Sequence, residues 1–204
     1  MYSSSTLTSD QLIRTALKES LRNIHKDDHQ AKIIEELGVT HGAARVDIAV
    51  INGSIHGYEL KSDIDTLYRL PSQMRYYNSV FDRITLVVGK SHLHEAIKIV
   101  PEWWGITIAK IIPSGEVLFC NIREAEQNPY QTNFAVATLL WRNEALNILE
   151  ESGRAKGVRS KARKVIYERL AEALDKRTLK SKVTEYLCAR ANWRSEILCT
   201  PDGD

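Results

Sequence analysis

Long hydrophobic runs are missing from this sequence of 204 residues, and no apolar stretch approaches the roughly 20 residues of a membrane-spanning helix. Cysteine is scarce as well. Cys120, Cys188 and Cys199 are widely spaced and odd in number, which favours neither a disulfide framework nor a Cys-x-x-Cys zinc site. Met1 to Ser5 has neither the charged nor the apolar region of a signal peptide. We therefore expect a cytoplasmic protein with reduced thiols and no membrane partner.

Charge of one sign is lacking too, because 28 Lys and Arg residues oppose 26 Asp and Glu residues and leave a net charge of +2. The two signs are distributed unevenly along the chain. Residues 1–150 contain 15 basic and 18 acidic residues, whereas residues 151–204 contain 13 basic and 8 acidic residues. A basic C-terminal segment favours contact with nucleic acid, although a solvated helical surface would give the same counts.

Helix and strand patterns alternate through the first part of the chain. Apolar residues recur at helical spacing over residues 9–25, and a second helix is predicted from about His29 to Leu37, where Gly38 ends it. Arg83 to Gly89 is a continuous apolar run, typical of a strand buried on both faces. A helix and a further strand follow it, which favours a right-handed parallel crossover. The sequence therefore predicts a mixed α/β sheet.

Helical patterns dominate from about Asn133 onward, and the first helix there is predicted from Phe134 to Ile148. We divide the chain into an α/β core, residues 1–125, and an all-helical C-terminal extension, residues 126–204. The segment from Arg154 to Lys164 is basic where a helix is predicted to begin, so its backbone amides and side chains would suit phosphates. Its predicted nucleic-acid contacts are Arg159, Lys161, Arg163 and Lys164.

The stretch from Arg45 to Lys61 is typical of a β-hairpin, because two runs rich in Val, Ile and Tyr flank residues 52–54, Asn-Gly-Ser. A three-residue loop would oppose Asp47 to Glu59. A two-residue loop would oppose Asp47 to Tyr58 and turn Glu59 to the other face of the sheet. We adopt the three-residue loop, since glycine supplies the left-handed conformation that such loops need.

Two carboxylates that face each other across a hairpin destabilise it, so the loop choice predicts a cation between Asp47 and Glu59. Both are hard oxygen ligands of the kind that Mg²⁺ prefers. Lys61 shares a face with Glu59, because residues two apart on a strand point to the same side. Gln73 and Tyr77, four apart on the next predicted helix, project from one face of it. A core tyrosine beside a solvent-facing glutamine would account for the same spacing.

The pattern of Asp47 followed by Glu59-x-Lys61 on adjacent strands resembles the PD-(D/E)XK nuclease superfamily, with Val46 in place of its proline. Gln73-Met-Arg-Tyr-Tyr77 is similar to the Gln-x-x-x-Tyr motif of the RecB-like and lambda-exonuclease-like branch. The run from Gly42 to Gly105 also resembles a little-characterised bacterial and phage family within that superfamily.

The predicted helix before the hairpin extends the resemblance, because it carries Glu35 and Glu36 where the superfamily has its first motif. The similarity covers roughly residues 30 to 120. It implies a restriction-endonuclease-like core, a mixed central sheet flanked by helices, to which the helical extension is added.

The resemblance implies a magnesium-dependent nuclease that hydrolyses phosphodiester bonds of nucleic acid, DNA above all, and a phage or defence setting. The metal would activate a water molecule and polarise the phosphate, and Mn²⁺ would substitute for Mg²⁺. The implied metal ligands are Asp47, Glu59, the backbone carbonyl of Leu60, and Glu36, for which Glu35 is the alternative.

The remaining implied site residues act around that metal. Lys61 would orient the water or stabilise developing negative charge. Gln73 and Tyr77 would brace the ligands or contact the phosphate backbone. His41, Arg45 and Arg69 would contact nucleic acid beside the site, although a loop histidine is more often merely solvated.

Two other classes of protein stay open on the same fold. One is a nucleic-acid-binding module without catalysis, and the other is a regulatory protein whose charged face docks a partner. Metal-dependent cleavage would separate the nuclease from both. The sequence leaves open DNA or RNA, endonuclease or exonuclease, one metal or two, and the oligomeric state, including a dimer.

Overall fold

A six-stranded sheet lies at the centre of the computed structural model, which describes residues 7–190. Its strands follow chain order: β1 (Lys32–Val39), β2 (Ala44–Ile51), β3 (Ile55–Lys61), β4 (Arg83–Gly89), β5 (Gly105–Ile111) and β6 (Val117–Arg123). Strands β3, β4 and β5 are parallel, and the other neighbouring pairs are antiparallel. The predicted mixed sheet is therefore confirmed.

Seven α-helices accompany the sheet in the described part of the chain. They are α1 (Asp10–Ile24), α2 (Leu70–Val80), α3 (Leu93–Ile99), α4 (Asn133–Ala137), α5 (Arg142–Glu151), α6 (Arg163–Ala173) and α7 (Lys176–Ala189). Helices α2 and α3 connect the parallel strands, and α4 to α7 form the C-terminal part. The predicted fold class, a mixed central sheet flanked by helices with further helices at the C-terminal end, is confirmed.

The sheet buries both of its faces. Helix α1 covers one face with Ile13, Leu17 and Leu21, which recur every four residues and pack on Leu60 and Val87. Helices α2 and α3 pack on the opposite face together with the C-terminal helices, in one large apolar cluster. That cluster crosses the boundary that we predicted at residue 125, so the division into two parts stays a prediction.

The predicted hairpin of β2 and β3 is confirmed, with its three-residue loop. Ile51 pairs with Ile55 and Ala49 with Gly57, and residues 52–54 form the loop. Gly53 has φ +76, the left-handed conformation that glycine adopts without a steric penalty. The loop length therefore decides which side chains of the hairpin share a face.

The helix predicted from about His29 to Leu37 is wrong, because Lys32–Val39 is strand β1 and pairs antiparallel with β2. Glu35 and Glu36 consequently lie on a strand. The single helix predicted from Phe134 to Ile148 is also wrong. It divides into α4 and α5, and Glu144 accepts a hydrogen bond from the backbone N–H of Trp141 at 2.7 Å where α5 begins.

No helix within residues 7–190 combines the length and apolar character needed to cross a membrane.

Candidate functional site

A polar cavity of about 570 Å³ opens beside the hairpin, at the point where β2 and β3 stop pairing. The first turns of α2 and the loop before β2 complete its wall. Most of the predicted site residues line it: Glu36, Arg45, Asp47, Glu59, Leu60, Lys61, Arg69 and Gln73. The structure therefore brings together predicted site residues from three strands, one loop and a helix.

Asp47 lies one step beyond the last paired residues of β2 and β3, which are Ile48 and Tyr58. Its carboxylate fills the gap between the two strands and accepts a hydrogen bond from the backbone N–H of Leu60 at 2.8 Å. It thus takes the place of a backbone acceptor in the sheet. The negative charge of Asp47 nevertheless contributes to raising the pKa of Glu59, which agrees with the predicted proximity of the two carboxylates.

Glu36 occupies the corresponding position on β1, where pairing with β2 is interrupted between Glu35–Ile48 and Leu37–Val46. Its φ of +56 is a left-handed conformation that residues other than glycine adopt at a cost of about 1–2 kcal/mol. The turn in the backbone directs the Glu36 side chain to the cavity.

Arg14 of α1 neutralises this acidic group, and the sequence did not predict it. Its guanidinium donates to Glu36 Oε1 at 2.7 Å, to Asp47 Oδ1 at 2.6 Å and to Asp10 Oδ1 at 3.2 Å. The Arg14 side chain is 15% exposed. An amphipathic helix pattern places Arg14 on α1 but does not show that its side chain reaches the end of the sheet.

Glu59 is buried, with 1% exposure, and each of its oxygens has a donor. Lys61 Nζ lies 2.5 Å and Gln73 Nε2 2.6 Å from Oε1, and the Tyr77 hydroxyl lies 2.9 Å from Oε2. Burial and the negative charge of Asp47 raise the pKa of Glu59 above its ordinary value, while Lys61 opposes that rise. The network of Glu59, Lys61, Gln73 and Tyr77 is compact and internally hydrogen-bonded.

The buried Tyr77 ties this network to β2. Its hydroxyl also lies 2.6 Å from the backbone carbonyl of Arg45, and it has only one hydrogen to donate. Burial and the neighbouring Glu59 carboxylate raise the pKa of Tyr77, so the hydroxyl stays protonated. The Gln73 Oε1 atom is buried with no hydrogen-bond partner among the described residues. Gln73 is half buried and its amide contacts Glu59, so the alternative of a solvent-facing glutamine does not hold.

Two of the segments predicted to contact nucleic acid meet on the surface. The ring of His41, in the loop before β2, lies 5.2 Å from the ring of Tyr167 on α6. Burial, and then the positive charge of Arg163 at the start of α6, lower the pKa of His41. Arg142 Nη2 holds the preceding loop by donating to the carbonyl of Arg159 at 2.5 Å. Arg159, Lys161, Arg163 and Lys164 are all exposed.

The predicted magnesium ligands fit the ion poorly as they are arranged. Arg14 already neutralises Asp47 and Glu36, and Lys61 already neutralises Glu59. Across residues 7–190, no group of three or more His, Cys, Asp or Glu side chains is placed to hold a metal ion. Binding of Mg²⁺ or Mn²⁺ therefore stays a prediction, and it would have to displace an internal cation.

Comparison with known proteins gives a different relationship from the one expected. A model of the family described as bacteriophage P4 protein cII matches residues 3–200. Protein cII of Enterobacteria phage P4 is 38% identical over 68 residues, which are 33% of this chain and 26% of that protein. The similar segment thus spans about a quarter of the relative's length. No solved structure matches the chain.

These matches overturn the expectation of a PD-(D/E)XK nuclease. The predictions of that superfamily, of a nuclease and of a phosphodiester hydrolase are wrong, because the family that matches almost the whole chain is another one. The resembling motifs are short, and here Asp47, Glu59 and Lys61 make internal hydrogen bonds and ion pairs. The family match over residues 3–200 shows that this chain belongs to the bacteriophage P4 protein cII family.

Proposed function

We propose that this protein is a nucleic-acid-binding regulatory module that binds DNA and leaves it intact. The observation that carries the proposal is the meeting of the loop before β2 with the start of α6, at His41 and Tyr167. We call the exposed basic side chains near these two chain segments the basic surface. It consists of His41, Arg45, Arg159, Lys161, Arg163 and Lys164.

The charge of the basic surface supports contact with phosphates. Its members lie about 120 residues apart in sequence, yet Arg163 acts electrostatically on His41. The ion pairs of its members lie on the surface and are weak: Arg45 with Glu36 at 3.6 Å, Arg159 with Glu150 at 2.9 Å and Lys164 with Glu168 at 3.8 Å. Exposed pairs of this kind exchange readily for contacts with phosphate, which release counterions from the nucleic acid.

The polar cavity supports binding without cleavage. Its two central carboxylates are each held by an internal cation, Arg14 on Asp47 and Lys61 on Glu59. Such a network fixes the positions of β2, β3 and α2 relative to one another. A protein that binds nucleic acid without cutting it acts by occupying a site, and this is the sense in which we propose a regulatory role.

The test is a titration of a fluorescent DNA duplex at several salt concentrations, with wild type and an Arg163→Gln, Lys164→Gln double variant. Each lost phosphate contact should flatten the plot of log affinity against log salt by about 0.9, so the double variant should lose up to about 2 units of slope. The matched control neutralises Lys98 on α3 and Lys110 on β5, which are exposed toward the far end of the sheet.

The same samples, incubated with Mg²⁺, should return the DNA at its original length on a denaturing gel. An unchanged slope in the Arg163, Lys164 variant, or equal losses in the control, would contradict the basic surface. No binding at all by wild type would contradict the proposed function itself.

A further inference from the structure

The loop between β3 and α2, residues 62–69, presents two large apolar side chains to solvent. Tyr68 is 90% exposed and Ile64 is 65% exposed. Tyr68 is the most exposed of the large hydrophobic side chains described in residues 7–190. Two such side chains within one short loop make it a candidate binding surface.

Hydrogen bonds hold this loop in place at its base. The Ser62 backbone N–H and hydroxyl donate to Asp65 Oδ2 at 2.8 and 2.6 Å. Leu67, next to Tyr68, is only 4% exposed and belongs to the large apolar cluster. Tyr68 is therefore held outward from an anchored turn. This order lowers the entropic cost of fixing the Tyr68 side chain when a ligand binds.

The charges around Tyr68 suit a nucleic-acid strand. Arg69 follows it directly, is exposed, and lines the polar cavity together with Arg45 and Lys61. The loop's own two carboxylates keep their charge but are fixed by internal hydrogen bonds: Asp65 accepts from Ser62, and Asp63 accepts from the backbone and side chains of Thr8 and Ser91. An exposed aromatic ring next to an exposed arginine can bind a base by stacking while the guanidinium contacts a phosphate.

We propose that Tyr68 stacks on an unpaired base of single-stranded DNA, with Arg69 on an adjoining phosphate. This inference rests on the proposed function and specifies the form of nucleic acid that is bound. A duplex is the poorer ligand, because its base faces are covered by neighbouring bases. Arg69 of the loop and Arg45 of the basic surface both line the polar cavity, so one strand can contact both.

The first experiment compares binding of a single-stranded oligonucleotide and a blunt duplex of the same length. Wild type should prefer the single strand. Tyr68→Ala should weaken single-strand binding by about tenfold or more and leave duplex binding unchanged, while Tyr68→Phe should bind as wild type does. Tyr130→Ala is the matched control, because Tyr130 is 62% exposed and lies elsewhere, before α4.

The second experiment locates the contact directly. An oligonucleotide that carries 5-iodouracil crosslinks on irradiation to an aromatic ring stacked on it. Trypsin cuts after Lys61 and Arg69, so the peptide from Ser62 to Arg69 contains Tyr68 as its one aromatic residue. We expect the crosslinked mass on that peptide, and we expect it to disappear in Tyr68→Ala.

The results separate this inference from the proposed function. Equal single-strand affinity of Tyr68→Ala and wild type, or a crosslink confined to other peptides, would overturn the stacking role and leave the basic surface standing. Equal binding of single strand and duplex by wild type would overturn it as well. Absence of any nucleic-acid binding would overturn both proposals, and a protein partner for Tyr68 would then be the question.

Discussion

At the scale of single residues, the cavity shows how a protein buries several charges at once. Glu59 has almost no exposed surface, yet Lys61, Gln73 and Tyr77 supply donors to its two oxygens. A buried carboxylate without such donors would cost several kcal/mol. The side chains that resemble a catalytic motif therefore have a sufficient structural reason to be where they are.

Arg14 is the residue whose removal tests that view most directly. Arg14→Met would leave Glu36 and Asp47 facing each other across two strands without their shared cation. Because breaking a buried ion pair leaves an uncompensated charge, we expect a loss of about 2–4 kcal/mol in the free energy of unfolding. Urea unfolding of wild type and Arg14→Met measures this difference in free energy.

Two further variants make the Arg14 test specific. Arg14→Met combined with Asp47→Asn should recover part of the loss, because the neutral amide no longer needs the guanidinium. Arg22→Met, in the exposed last turn of the same helix, should change stability by less than about 0.5 kcal/mol. Equal losses in the Arg14 and Arg22 variants would show that the three carboxylates do not depend on Arg14.

The sequence predicted most of this site but not its central cation. Asp47, Glu59 and Lys61 could be placed together because strand periodicity and turn length are local properties. Gln73 and Tyr77 could be placed on one helix face for the same reason. Arg14 reaches them from α1 through tertiary packing, and no spacing in the sequence encodes the position of α1 over the sheet.

At the scale of elements, β1 shows why a strand was mistaken for a helix. Its buried side chains are Ile34, Leu37 and Val39, so the first two are three residues apart, as on a helix. The left-handed backbone at Glu36 causes this spacing, because it reverses the alternation of the strand by one residue. β2 shows the same reversal, since Val46 and Ala49 both face the large apolar cluster. A period of two could not be recognised across this point.

That explanation predicts an unusual ranking of two substitutions at Glu36. Both Glu36→Ala and Glu36→Gly remove the carboxylate, so their difference reports the backbone. At φ +56 the glycine variant should be the more stable protein by about 1 kcal/mol, because the left-handed conformation is unfavourable for alanine. At the ordinary strand position Lys110 the order should reverse, with alanine the more stable by about 0.5–1 kcal/mol. Thermal unfolding of the four variants decides, and the same order at both positions would contradict the strained backbone.

At the scale of the whole molecule, acid should weaken the fold through a histidine far from the cavity wall. His56 on β3 is stacked on Tyr58, with ring centroids 4.3 Å apart, and its Nε2 lies 2.9 Å from Thr85 Oγ1. Burial, and then the charges of Arg83 and His25, lower the pKa of His56 to about 4, while Asp82 acts in the opposite direction. The neutral ring is therefore the form that the folded protein accommodates.

The sign of the effect follows from the two states of the chain. In the unfolded chain His56 binds a proton near its ordinary pKa of about 6.5, whereas the folded protein resists protonation until about pH 4. Stability from this group is thus fully present above pH 6.5 and is lost as the pH falls toward 4, by up to about 3 kcal/mol. Glu59 acts in the opposite direction, because its raised pKa relieves a buried charge on acidification.

A comparison of wild type with His56→Gln separates the two contributions. Glutamine is neutral at every pH and its amide can hydrogen-bond to Thr85, so the variant keeps the Glu59 effect and loses that of His56. Urea unfolding at pH 7.5, 6, 5 and 4 should show wild type losing more stability than the variant between pH 6.5 and 4. Parallel curves for the two proteins over that range would mean that another group dominates the acid response. Below pH 4 both should weaken together as Asp63, whose pKa the Ser91 and Thr8 donors lower to about 2, takes up its proton.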